Sequence, residues 1–118
     1  MKNQDLRDRT KQFASRIIRM FSMLQKNTVA QILGNQVLRS GTSVGANYRE
    51  ACRARSKAEF ISKSGDCLRE LDETMYWLEL IIENKIIHEK KLSALLDETN
   101  QLTAIFVTIL NNSKSGPI

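Results

Sequence analysis

The sequence predicts an all-α fold, a single antiparallel up-down-up-down four-helix bundle that spans residues 1–118 as one domain. Three observations predict it. Apolar residues recur every three or four positions through four long segments, which is the periodicity of helices with one buried face. The only proline is Pro117, so no earlier residue forces a helix to break. Aromatic residues make up 6% of the chain, and residues that favour helices dominate.

Helix 1 is predicted over about residues 5–26. Its core face is an apolar stripe with spacings of three, four and seven: Leu6, Phe13, Ile17, Met20, Phe21 and Leu24. Basic side chains are expected on the outer face of this helix, namely Arg7, Arg9, Lys11, Arg16 and Arg19.

Helix 2 is predicted over about residues 29–53, opened by a capping box between Thr28 and Gln31. Its core face is Leu33, Val37, Ser40, Val44, Tyr48 and Ala51. Gly34, Gly41, Gly45 and Cys52 fall within about 20° of one line along the helix. Each glycine costs about 1 kcal/mol of helix propensity, so the stripe implies close packing against another helix, of this bundle or of another subunit.

Helix 3 is predicted over about residues 57–84, opened by a capping box between Ser56 and Glu59. Its core face is Phe60, Ser64, Cys67, Leu68, Leu71, Met75, Leu78 and Ile82. Near its end the apolar residues are too many for one face. Two explanations are open, an oligomer contact or a thicker monomeric core, and both involve Tyr76, Trp77, Leu80 and Ile81.

Helix 4 is predicted over about residues 89–111, with an apolar side of Leu92, Leu95, Leu96, Leu102, Ile105, Phe106, Ile109 and Leu110. The polar residues 112–118 are expected to form a frayed tail. His88 is expected in the turn before helix 4.

Polar residues on helices 2 and 3 are interpreted as structural. Ser40, Asn47 and Glu50 form a candidate polar lock that fixes helix register, although a ligand contact is the alternative. Asp66, Glu70 and Glu73 cluster on helix 3, and ion pairing with Arg39, Arg49 or Arg53 is favoured over acid–base chemistry. Cys52 and Cys67 are offset by about 10 Å along antiparallel helices, beyond the reach of a disulfide, so both are expected to be packing residues.

The charge is divided unequally along the chain. The net charge is +5, but residues 1–58 carry twelve Lys and Arg against three Asp and Glu, or +9, whereas residues 59–118 carry six against ten, or −4. This asymmetry is typical of a basic surface that meets nucleic acid, and also of complementary faces between helices or subunits. No nucleophile, phosphate-loop or metal-ligand motif occurs, so no enzyme activity, metal or cofactor is expected. No signal or membrane segment is predicted, and a cytoplasmic protein is expected.

The stretch from Ser40 to Leu80 closely resembles the four-helix-bundle family encoded in 23S rRNA intervening sequences, also called the S23 ribosomal protein family. The residues that carry the resemblance are Ser43 to Asn47 (SVGAN), Glu50-Ala51, Arg55 to Lys57 (RSK), Glu59 to Ile61 (EFI), Glu70, and Glu73 to Leu78 (ETMYWL). The resemblance implies an antiparallel bundle that assembles into a ring-like homo-oligomer, most often a pentamer. It implies no reaction.

That family is similar to the accessory protein of diversity-generating retroelements, a pentamer whose basic surface binds nucleic acid and a reverse transcriptase. The implied partners are therefore the chain itself, RNA or DNA and, by analogy, a reverse transcriptase. The expected phosphate contacts are Arg7, Arg9, Lys11, Arg16 and Arg19 on helix 1, with Arg49, Arg53, Arg55 and Lys57 near the turn between helices 2 and 3. Binding should be salt-sensitive and poorly sequence-specific. The alternative is a structural or protein-interaction bundle whose charges pair subunits.

Overall fold

The computed structural model describes residues 3–115, which form four α-helices and no strand. The helices are α1 (Asn3–Ser22), α2 (Thr28–Cys52), α3 (Lys57–Glu83) and α4 (Glu89–Ser115). The all-α prediction is confirmed. Two predicted ends are wrong. Helix α1 ends earlier, because Met23 and Leu24 donate to carbonyls only three residues back. Residues 112–115 continue α4 instead of fraying, and the rest of the predicted tail, 116–118, lies outside the described residues.

Polar side chains begin three of the helices. The Asn27 side chain accepts a hydrogen bond from the Ala30 amide at 2.9 Å, so Asn27 caps α2 and the predicted Thr28–Gln31 capping box is wrong. The Ser56 cap is confirmed, with its hydroxyl 3.1 Å from the Glu59 amide. For α4, His88 Nδ1 accepts from the Lys90 amide at 3.1 Å.

Helix α3 ends in a Schellman motif built on a lysine. The Ile86 amide donates to the Ile81 carbonyl and the Lys85 amide to the Ile82 carbonyl, both at 3.0 Å. Lys85 has a φ of 59°, the left-handed conformation that this motif requires. The chain therefore reverses within five residues and enters α4.

The helices form an elongated bundle of 50 × 20 × 20 Å. Each helix packs against two others: α2 against α1 and α3, and α4 against α3 and α1, with α2–α3 the most extensive contact and α1–α4 the least. Along α2 and α3 the contacts run in opposite order, from Glu50–Lys63 through Val44–Cys67 to Ser40–Thr74.

All four helices contribute to one core, and the predicted apolar faces are largely confirmed. Its largest fully buried apolar side chains are Phe13, Ile17, Val37, Val44, Leu71, Leu78, Ile81, Leu92, Leu102 and Phe106. The rings of Tyr48 and Phe106 meet edge to face at 5.6 Å. Four buried polar residues were not predicted from the pattern: Thr10, Glu70, Thr74 and Thr99.

The glycine stripe of α2 packs against α1 of the same chain. A Cβ placed at Gly41 would lie 2.7 Å from Ile17 Cγ1, and one at Gly45 would lie 3.3 Å from the Thr10 carbonyl oxygen. Only a residue without a side chain allows the two helices to approach this closely. Of the two interpretations of the stripe, packing within the bundle therefore accounts for it.

Candidate nucleic-acid interface

One predicted phosphate contact, Arg9, is held in an ion pair within the bundle. Its Nε and Nη2 atoms donate to the two carboxylate oxygens of Glu98, each at 2.8 Å, and Nη2 also donates to Gln101. This two-pronged geometry gives strong, directional hydrogen bonds, and they raise the pKa of Arg9 above its usual value. Arg9 therefore ties α1 to α4.

The acidic cluster on α3 also forms ion pairs, as predicted, although with fewer partners. Arg39 lies 3.2 Å from Glu70 and 2.6 Å from Glu73. Asp66 instead pairs with Arg69, one helical turn away, at 2.9 Å. The carboxylates that the sequence groups together are thus engaged by arginines of α2 and α3.

The other eight predicted phosphate contacts form no ion pair within residues 3–115. They lie in three places. Arg53, Arg55 and Lys57 surround the exposed turn between α2 and α3. The remaining five divide between two edges of α1, so the prediction of one basic outer face on that helix is wrong. Arg16 and Arg19 line a depression beside α4 that also contains Lys91, whereas Arg7, Lys11 and Arg49 line the cleft between α1 and α2.

The cleft between α1 and α2, called the α1–α2 groove below, has a volume of about 320 Å³. Its other lining residues are small, namely Ala14, Thr42, Gly45 and Ala46. The Thr42 hydroxyl donates to the Leu38 carbonyl at 2.7 Å. Arg7 is half-buried, and its Nε–H is buried without an acceptor in the described chain.

The predicted polar lock is rearranged in the structure. Ser40 is fully buried and lies 2.8 Å from the Thr74 hydroxyl, which itself donates to the Glu70 carbonyl. Glu50 is exposed and pairs with Lys63 at 3.2 Å, and Asn47 is half-buried. Thr74 was missed, although it lies three residues after Leu71 and four before Leu78 and so shares their core face.

The four residues of the predicted oligomer contact differ in their burial. Ile81 has no exposed surface, so its assignment to an exterior contact is wrong: α3 packs against both α2 and α4, and its buried face is wide enough to include it. Tyr76 is 56% exposed, and its ring meets Trp77 edge to face at 5.0 Å. Trp77 and Leu80 are half-buried.

Two residues of α2 extend this surface. Arg39 bonds Glu73, and Ile32 lies seven residues before Arg39, on the same face of its helix. Leu80 lies seven residues after Glu73 and so on the same face of α3. Ile32 and Val29 are 57% and 60% exposed. Val29 lies three residues before Ile32 and so beside it on α2, and we define the apolar α2–α3 patch as Val29, Ile32, Tyr76, Trp77 and Leu80.

The two cysteines form no disulfide. Cys52 and Cys67 are free, as predicted, and burial raises the pKa of the Cys67 thiol to about 12. Across the described residues no group of three or more His, Cys, Asp or Glu side chains could hold a metal ion. None of the described helices is long and apolar enough to cross a membrane.

These observations define a class of protein, an all-α four-helix bundle with unpaired basic side chains on its first two helices. Residues 2–108 match the family model of the 23S rRNA-intervening sequence proteins, so the chain belongs to that family. It is similar to a protein of unknown function from the S23 ribosomal protein family of Bacteroides thetaiotaomicron, whose crystal structure has a TM-score of 0.87 to this one. The two are 35% identical, over 94% of this chain and 99% of that one. No curated protein matches the chain.

Proposed function

We propose that this chain is a non-enzymatic, self-assembling antiparallel up-down-up-down bundle that binds RNA or another nucleic acid in the cytoplasm. The observation that carries the proposal is the pattern of ion pairing. Arg9 and Arg39 form ion pairs with carboxylates of the same chain. Of the nine candidate phosphate contacts, the eight other than Arg9 form no ion pair within residues 3–115.

The unpaired cations suit the phosphate backbone better than the bases. No aromatic side chain lines the α1–α2 groove, so the groove offers no ring on which a base could stack. Lys and Arg side chains that contact phosphates release counterions, and affinity then falls steeply with salt. The proposed binding is therefore directed at the backbone and tolerant of sequence.

Self-assembly would multiply these weak contacts. The α2–α3 patch exposes large apolar side chains, and Trp77 Nε1–H within it is buried without an acceptor in the described chain. A second subunit could cover the patch and supply that acceptor. We propose a ring-like homo-oligomer, most simply a pentamer, in which a formal charge of about +25 follows from five copies of +5.

Salt titration tests the binding proposal. A labelled single-stranded RNA should bind at low salt, and log K should fall by about 0.7 for each phosphate contact per tenfold rise in salt. Fluorescence anisotropy measures this slope. Affinity that is unchanged across the titration would rule out phosphate contacts as the source of binding.

The α2–α3 patch also supports a second candidate function, a structural bundle that binds only protein, including copies of itself. By analogy that protein partner could include a reverse transcriptase. The two candidates differ at the exposed turn between α2 and α3. Reversing Arg53 and Arg55 to Glu should leave the oligomer intact and abolish RNA binding if nucleic acid is the partner. The structural alternative predicts that the same change breaks the oligomer.

A further inference from the structure

The α1–α2 groove has the features of an anion site. It is a cleft between two helices, at the low end of the roughly 300–1,000 Å³ range of ligand pockets. Ala14, Gly45 and Ala46 are among its lining residues, and none of them has a side chain large enough to fill it. The close packing of Gly45 on the Thr10 carbonyl fixes the separation of the two helices here. The groove is therefore part of the rigid helix packing.

The charged groups around this groove are all cations. Arg7 and Lys11 come from one helix and Arg49 from the other, and no carboxylate is among the lining residues. The nearby acid Glu50 pairs with Lys63 on α3, and Asp8 accepts a hydrogen bond from Gln4. Three cations around one cleft repel each other, and this repulsion is relieved when an anion binds between them.

The hydrogen-bonding groups point to the same ligand. Arg7 Nε–H is buried and has no acceptor among residues 3–115, which is unfavourable until an acceptor arrives. Thr42 already donates its hydroxyl proton to Leu38, so the free donors of the site are on the three cations. Guanidinium groups bind phosphate oxygens through paired N–H donors, and an ammonium group adds a point charge.

We propose that the α1–α2 groove binds a phosphate group between Arg7, Lys11 and Arg49. In the nucleic-acid function proposed above, on which this assignment partly rests, that group is a phosphodiester of the RNA or DNA backbone. The same chemistry would also accept a free phosphate or pyrophosphate. Arg16 and Arg19, on the other edge of α1, lie outside this groove.

Matched double variants test this assignment. K11Q/R49Q and K26Q/K90Q remove the same charge from exposed positions, and only the first pair lines the groove. For a labelled oligouridylate we expect K11Q/R49Q to weaken binding about tenfold or more and to reduce the salt slope by about 1.4. K26Q/K90Q should change affinity by less than about threefold.

A second pair of variants keeps the three cations and changes only Ala46, a small residue that lines the groove. Ala46 is exposed on α2, so both A46Q and A46E fit without repacking the core. A46E places a carboxylate beside the cations and should weaken oligouridylate binding about as strongly as K11Q/R49Q does. A46Q has the same shape without the charge and should bind nearly as well as the unchanged protein.

The outcomes separate the site from the function. If the protein binds oligouridylate and K11Q/R49Q weakens binding no more than K26Q/K90Q does, the groove assignment is wrong and nucleic-acid binding stands. If oligouridylate does not bind but pyrophosphate shifts the amide NMR signals of Arg7, Gly45 and Arg49, the groove stands as a phosphate site and the nucleic-acid function is wrong. If neither probe binds, both are wrong.

Discussion

Lys85 has a backbone conformation that residues other than glycine rarely adopt. Its φ of 59° places it in the left-handed region, where an L-residue other than Gly costs about 1–2 kcal/mol. The amide bonds of Lys85 and Ile86 that end α3 require this conformation. We expect K85G to raise the free energy of unfolding by about 1 kcal/mol, measured by urea denaturation.

A matched variant isolates the cause of this effect. Lys91 is exposed and lies in the first turn of α4, with a helical backbone. K91G should lower the free energy of unfolding by about 1 kcal/mol. If K85G is destabilising to the same degree, the left-handed conformation at Lys85 is not a source of strain.

Two buried hydroxyls connect α2 to α3. Thr74 donates its one proton to the Glu70 carbonyl, so Ser40 is the donor in the 2.8 Å contact between the two hydroxyls. S40A or T74V alone removes the hydrogen bond between the two hydroxyls and should cost about 1 kcal/mol. The double variant should cost less than the sum of the two. A double-mutant cycle by urea denaturation measures this coupling, and strictly additive losses would show that the hydroxyls act independently.

At the scale of the elements, two glycines within helices, Gly41 on α2 and Gly65 on α3, should respond in opposite ways to replacement by alanine. G41A would place its Cβ 2.7 Å from Ile17 Cγ1 and force α1 away from α2, so we expect a loss of about 1–3 kcal/mol. A Cβ at Gly65 on α3 would meet no atom within 4 Å. G65A should therefore stabilise the protein by about 0.4–1 kcal/mol. Thermal denaturation of both variants checks the sign, and destabilisation by G65A would contradict this account of α3.

The helices were predictable from the sequence because periodicity is a local property. Spacings of three and four residues mark the side of each helix that is buried, and Phe13, Val44, Leu71 and Phe106 are all in the core as expected. The helix starts were less certain. Asn27 and Thr28 are both good capping residues, and only the backbone conformation shows that Asn27 is the cap.

The division of charges was not predictable in the same way. Arg9 and Glu98 are 89 residues apart, and their pairing depends on how α1 packs beside α4. Periodicity places Arg9 on a polar face but does not reveal which neighbouring helix that face approaches. At 100° per residue Lys11 and Arg16 are about 140° apart around α1, so periodicity separates them, but only the packing shows which helix lies beside each one.

At the scale of the whole molecule, the α2–α3 patch is the surface through which we propose self-assembly. V29K places a charge within it, at a position that is 60% exposed, and should dissociate the oligomer without changing helix content. V107K makes the same change on α4, at a position that is 40% exposed and outside the patch. It should leave the oligomer intact. Equal masses for the two variants by light scattering would exclude this patch as the interface.

The measurement that tests the central proposal most directly is light scattering of the purified protein, with and without a short RNA, at low and moderate salt. We expect an oligomer that gains mass with RNA at low salt and loses the added mass as salt rises, because phosphate contacts weaken with salt. An oligomer whose mass is indifferent to RNA at every salt concentration would contradict nucleic-acid binding. A monomer would contradict self-assembly as well.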